Sequence, residues 1–413
     1  MKEILYDAIH ATLAKAGSCG GNEDFPVRVN AHIHTPYSFS AFKDVEHPFR
    51  MAVEEGIGVL GINDFYTTDG YSEFAEFALK YRIFPLFNIE FMALQKDEQL
   101  AGIRVNDPQN PGRTYISGKG LRFPVSMGND SARKMTSLQE ESNRQTYQMM
   151  ERLNEFLASI GAELHFDAET IHKLLARNLF RERHIAAAIR QAVMEKFSSG
   201  DDIRSAFKAI FSGFEPSSDL ANAAQLENEI RNRLLKAGGP AYVPEDEKAF
   251  LSLPEVISLI RDAGGIPCYP VLLDDVKGNF TDFEGDFEAL ASTLREKEIY
   301  MIELIPGRND AGILKKFVHF FDTQGFVVTF GSEHNTPQLD PLTITCRNAI
   351  PLDEPLLEIN YRGAAIIAAH QYLVFRGESG FPANHFPAKE TLDDLAALGK
   401  KIISCFINPS YHE

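Results

Sequence analysis

Tryptophan is absent from this 413-residue chain, an absence that excludes nothing, and cysteine is scarce. The four thiols, Cys19, Cys268, Cys346 and Cys405, stand far apart with no CxxC spacing. That scatter argues against a disulfide framework and a zinc ribbon, and it fits a reducing cytoplasm. Basic residues are outnumbered, 41 Lys and Arg against 58 Asp and Glu, for a formal charge of -17 at pH 7. So acidic a surface repels nucleic-acid backbones, which disfavours a DNA or RNA polymer as partner. A locally basic pocket for a small anionic substrate stays open. No apolar run is long enough to cross a membrane. Residues Met1 to Ala16 are amphipathic and broken by Asp7, His10 and Lys15, so they lack the apolar core of a signal peptide and read as a short docking helix. Internal repeats and low-complexity tracts are missing too.

What is present begins with an alternating run, Val27-Arg28-Val29-Asn30-Ala31-His32-Ile33-His34. On a strand, Val27, Val29, Ala31 and Ile33 share one face, and Arg28, Asn30, His32 and His34 share the other. Two imidazoles thus project together from a strand end whose opposite face is apolar, which suits a metal better than a core. A helix over His47 to Glu55 follows, with Pro48 in its first turn. Gly58 to Ile62 reads as a buried parallel strand ending in Asn63-Asp64. A helix over Tyr71 to Tyr81 then leads to a strand ending in Glu90. This alternation predicts an α/β barrel or a doubly wound sheet, with chemistry at the C-terminal ends of the strands.

Residues 95–123, rich in Gly, Pro, Asn and Asp, read as loops with short strands, with Lys119 between two glycines. From about Ser131 to Ala237 the pattern is helical, an insertion. The α/β rhythm returns through Gly264 to Pro270, Tyr300 to Leu304 and Phe326 to His334, and a helical tail starts near Glu354. The expected division is an N-terminal helical extension over 1–24, an α/β barrel over 25–128 and 241–413, and a helical insertion domain over 129–240.

Candidate metal ligands at strand ends are His32, His34, Asp64, Glu90, Glu333 and His334. Their nitrogen and carboxylate donors suit zinc, manganese or iron. Such a centre would lower the pKa of bound water and attract phosphate oxygens. Each has a plainer alternative, which for His32 and His34 is a pair of hydrogen-bonded core histidines. Asp64 fits an N-cap of the next helix. Glu90 fits a buried ion pair with Arg28, and Glu333 and His334 fit an ordinary loop. Arg183 and His184 read either as the start of an amphipathic helix or as a cationic clamp over a substrate anion. Tyr269 reads as packing or as a proton donor in the mouth.

The chain resembles the PHP (polymerase and histidinol phosphatase) superfamily of metal-dependent phosphoesterases. Asn30-Ala31-His32-Ile33-His34-Thr35 with Ser38 is similar to its opening HxHT motif, and Gly61 to Gly70 to its ITDHDTxDG motif. Asn88-Ile89-Glu90 resembles GxE, Ala263 to Pro270 resembles AGGxxxAHP, and Gly331-Ser332-Glu333-His334 resembles GSDxH. Arg183-His184-Ile185-Ala186 with Gly239 to Pro244 resembles the RPHIA and GPAYVP pattern of PHP phosphatases acting on nucleotides. The resemblance implies a distorted (β/α)7 PHP-type barrel with a helical insertion, metals at its mouth and hydrolysis of phosphate esters. Phe65 and Tyr269 stand where the family has metal-binding histidines, Glu333 where it has Asp, and Asn335 in its last His slot. One or two ions are therefore expected, with Arg183, His184 or Lys119 neutralising the remaining substrate charge. If the altered ligands moved the chemistry, the alternatives are hydrolysis of a sugar-derived ester, lactone or amide, or an inactive binding protein.

Overall fold

The computed structural model describes residues 5–7, 10 and 27–408. The extension expected over 1–24 lies almost wholly outside the described residues. Within it, Tyr6 is buried and stacks on Phe375 at 4.7 Å.

The chain runs β1 (Arg28–Ile33), α1 (His47–Glu55), β2 (Ile57–Phe65), α2 (Tyr71–Tyr81), β3 (Phe84–Leu94), α3 (Lys96–Leu100) and β4 (Arg113–Lys119). It then leaves the sheet for α4 (Asn129–Ser159), α5 (Ala168–Leu175), α6 (Glu182–Lys196), α7 (Gly200–Ile210) and α8 (Ala223–Ile230). It returns through α9 (Leu253–Asp262), β5 (Ile266–Val271), α10 (Phe287–Glu296), β6 (Met301–Leu304), α11 (Ala311–Thr323) and β7 (Val327–Phe330), and closes with α12 (Glu354–Phe375) and α13 (Lys389–Ile407). Among the described residues no helix is long and apolar enough to cross a membrane.

Each of the seven strands pairs with the next in chain order. The edges meet just past β7, where Ile33 and Glu333 form a parallel bridge. The result is a nearly closed barrel-like sheet flanked by helices. Buried strands of a parallel sheet read as continuous apolar runs, and all eleven residues of β3 are buried. Local signals place the helices. Gly56 ends α1 at φ 67°, and Ser252 and Glu255 form a capping box at α9.

The segment expected as loops with short strands contributes one strand to the barrel sheet. Its later part is β4, antiparallel to both β3 and β5, with Lys119 as its last residue. Its inward residues, Tyr115, Ser117 and Lys119, face a polar barrel interior, so the stretch lacks the apolar run that marks the other strands.

Helix α12 covers the N-terminal end of the barrel. It touches β1, β3 and β7, and residues Gly363 to Tyr372 are buried without a break. Its polar side chains meet backbone groups of the strands: Phe87 N donates to Gln371 Oε1 at 2.8 Å, and Asn360 Nδ2 donates to the Val29 carbonyl at 3.2 Å. Between β4 and β5, helices α4 to α8 pack around a separate apolar cluster that includes Met150, Leu153, Phe180, Ile189, Phe207 and Ile230. They hold to the barrel through an Arg177–Glu73 ion pair and a 2.7 Å hydrogen bond from Gln139 to the Tyr66 carbonyl.

Candidate metal centre

His32 and His34 both turn inward, as strand alternation requires of residues two apart. With Glu90, opposite Phe65 at the upper part of β3, they offer three donor atoms within 4.8 Å of one another, all buried. His32 Nε2 lies 3.3 Å from His34 Nε2, and His34 Nε2 lies 3.6 Å from a Glu90 oxygen. Gly331 makes room for this: a Cβ there would sit 2.2 Å from His32 Cβ.

The tautomers follow from the neighbours. His32 Nδ1 lies 3.0 Å from Glu303 Oε2 and donates to it, since a carboxylate only accepts. The Asn63 amide nitrogen lies 3.2 Å from Nδ1 and 3.0 Å from Nε2 and does not choose between them, but a neutral imidazole that donates from Nδ1 carries its lone pair on Nε2. Ser38 Oγ donates to Asp64 Oδ1 at 2.6 Å, so it accepts from His34 Nδ1 at 3.2 Å, leaving His34 Nε2 unprotonated. Two lone pairs therefore face each other beside a carboxylate, an arrangement that repels itself unless a cation sits between. Burial, then its neighbours His32 and Arg183, hold His34 well below the usual histidine range, so it stays a neutral ligand. Burial, then Glu333 and Glu303, push the Glu90 carboxyl well above its ordinary value, a cost that a cation would remove. Nitrogen and oxygen donors with carboxylate-oriented imidazoles fit a divalent transition metal.

The other expected site residues fall in different places. Asp64 neither joins the donor set nor caps α2, whose N-cap is Gly70. It accepts from Thr35 N and Ser38 Oγ, which shapes the loop beneath His34. Burial, opposed by those hydrogen bonds, raises its carboxyl to about 7. Arg28 donates to the Glu55 carbonyl rather than pairing with Glu90. Glu333 lies at φ 61° and is ion-paired with Arg308. His334 is turned away: its Nδ1 meets Ser332 Oγ and its Nε2 the Asp340 carbonyl, each at 2.7 Å, and its ring stacks on Phe42. Tyr269 pairs with Ile302 and so points out of the barrel, where its hydroxyl donates to Glu284 at 3.0 Å. Lys119 is wholly buried, with Nζ 2.5 Å from Glu303 Oε2 and 3.1 Å from Asn63 Oδ1, so it cannot reach a substrate.

From the inserted helices, His184 accepts from Arg181 N at 3.0 Å and serves the capping of α6, held down at about 4 by burial. Arg183 is different. It lies over the Phe39 ring at 5.3 Å, acts electrostatically on His34 and Glu333, and its buried Nη1 has no partner. Burial, then nearby Arg231, lowers it to about 10, still a cation at neutral pH. Beside it, Arg181 lies 5.1 Å over Phe65.

Sequence reasoning missed Glu303, Asn63, Ser117 and Arg308. The available signal for Glu303 was one acid inside the apolar strand Met301–Leu304.

No family model matches the sequence, and no curated protein does. Among solved structures, the fold is shared with a chain from Bifidobacterium adolescentis assigned as a metal-dependent phosphoesterase. The TM-score is 0.52 at 16% identity, covering 81% of this chain and 95% of that one. An amidohydrolase from Chromobacterium violaceum, with bound sulfate and no metal, gives a TM-score of 0.48 at 17% identity, covering 81% of this chain and 97% of that one.

Proposed function

We propose that this protein is a cytoplasmic, metal-dependent hydrolase of the PHP type, acting on a small phosphorylated metabolite. The observation that carries the reading is the His32–His34–Glu90 cluster, with its two unprotonated Nε2 atoms facing each other, together with Arg183, whose buried Nη1 has no protein partner. The cluster fits zinc, manganese or iron. Bound there, such an ion supplies hydroxide near neutral pH and a seat for a phosphoryl oxygen.

The chain's own residues do the rest. Glu303 and Ser38 hold the imidazoles in register. Arg183 offers Nη1 to a substrate oxygen and stabilises charge developing on the phosphoryl group, its guanidinium held 5.3 Å over the Phe39 ring. Phe65 and Phe39, 6.0 Å apart, narrow the mouth and limit water around the substrate.

A panel of phosphate monoesters, phosphodiesters, lactones and amides tests the assignment. Turnover of a phosphate monoester, lost with chelator and restored by Mn²⁺ or Zn²⁺, is expected. Turnover of lactones or amides alone overturns the phosphate assignment. Ligand-dependent thermal stabilisation without any turnover makes the protein a binder.

A further inference from the structure

We infer that the centre holds a single divalent ion, and that two internal cations, Lys119 and Arg308, replace the charge of any further metal. The inference rests on the metal-dependent reading above and adds its stoichiometry. A second ion, about 3.5–4 Å from the first in two-metal sites, needs donors of its own. Among the described residues, Glu303, Asp64, Glu333 and His334, the groups nearest in kind to the three ligands, all carry protein partners of their own.

Glu303 has both oxygens taken: Oε2 by Lys119 Nζ at 2.5 Å and His32 Nδ1 at 3.0 Å, and Oε1 by the Ser117 hydroxyl. Asp64 has Oδ1 filled by Thr35 N and Ser38 Oγ, and Oδ2 by Thr35 Oγ1. Glu333 spends Oε2 on both Arg308 and the Asn335 amide, and its charge is balanced by that guanidinium. His334 has spent both ring nitrogens.

The two charged pairs are placed to matter. The Lys119 ammonium sits in a niche of acceptors, Glu303 and Asn63 Oδ1, on the far side of His32 from the ligand cluster. It is wholly buried and cannot leave without stranding Glu303. Arg308 plays the same part at the rim, neutralising a carboxylate whose charge reaches Glu90. A site whose surplus carboxylates carry their own cations has no electrostatic demand for a second metal. The charge that remains also has a use. One divalent ion against Glu90 leaves one positive charge, and unpaired Arg183 adds another, which together complement a phosphate monoester dianion.

Metal-stripped protein is reloaded with Mn²⁺ or Zn²⁺, gel-filtered and measured by elemental analysis alongside calorimetric titration. One ion per chain is expected. Two or more overturn the inference and leave the metal-dependent reading standing. No ion, with wild type and His32→Ala indistinguishable, overturns that reading itself. Lys119→Met and Arg308→Gln are each expected to add a second, weaker binding event by freeing Glu303 or Glu333. Arg308 is half exposed, so its variant folds even where the buried substitution does not. A stoichiometry of one in Arg308→Gln, and in Lys119→Met where folded, overturns the role given to the internal cations.

Discussion

Replacing Glu303 by Gln removes one charge from the barrel interior and strands another. The side chains of Glu303 and Lys119 are 1% and 0% exposed, so the ammonium stays buried in the variant, with neutral acceptors such as Asn63 Oδ1 in place of a counter-charge. Breaking a buried ion pair from one side costs about 3–5 kcal/mol, because the surviving charge keeps its full desolvation penalty. Lys119→Met does the reverse, but the freed carboxylate keeps His32 and Ser117, so its cost falls toward the lower end of that range. Removing both charges together leaves nothing uncompensated, and the double variant is expected within about 1–2 kcal/mol of wild type. The coupling between the two sites is then about 3 kcal/mol or more, far above the few tenths found for independent sites. Urea unfolding of metal-free protein, followed by far-UV circular dichroism, measures it. A double variant as unstable as the sum of the singles would refute the reasoning, since Lys119 and Glu303 would then not be each other's counter-charge.

Arg183→Met is expected to lower kcat/KM for a phosphate monoester by about 10²–10³-fold, the scale of losing one charged stabiliser of a transition state, while the melting temperature stays close to wild type because Nη1 has no protein partner to lose. His34→Ala removes one of three donors, and elemental analysis of the purified variant should find little or no bound metal. Gly331→Ala drives a methyl against His32, so metal affinity and stability should fall together, and a variant with unchanged affinity would contradict the packing described. Burial holds His370 at about 4 in the fold against an ordinary 6.5, so the unfolded chain binds the extra proton first. Its contribution is complete above about pH 6.5 and is lost as pH falls through 4, at about 1.4 kcal/mol per pH unit. His370→Gln should flatten the acid limb of a stability-against-pH curve by that slope.

The barrel and its three donor residues were legible because their signals are local. Alternation put His32 and His34 on one face, and an apolar strand ending in Glu90 put a carboxylate at the same rim. The rest depended on which way a residue faces once the sheet curls. Tyr269 sits in a motif that points to the mouth, yet its partner across the sheet is Ile302, and both face outward. Glu333 and His334 share a bend with positive φ at both residues, which sends one toward Arg308 and the other toward Phe42. Lys119 looked like a loop residue because glycines flank it. Only the pairing of β4 with β5 shows it entering the barrel opposite Ile266. Glu303 and Lys119 lie 184 positions apart in the chain, and no spacing rule joins them.

The residues that would hold metal and the residue that would greet the substrate belong to stretches of chain with separate interiors. His32, His34 and Glu90 are framed by the barrel, while Arg183 rides on helices gathered around their own apolar cluster. Such a layout splits inheritance in two. On the proposed function, substitutions among the helices would retune which anion is welcomed without disturbing the strands that would hold the metal.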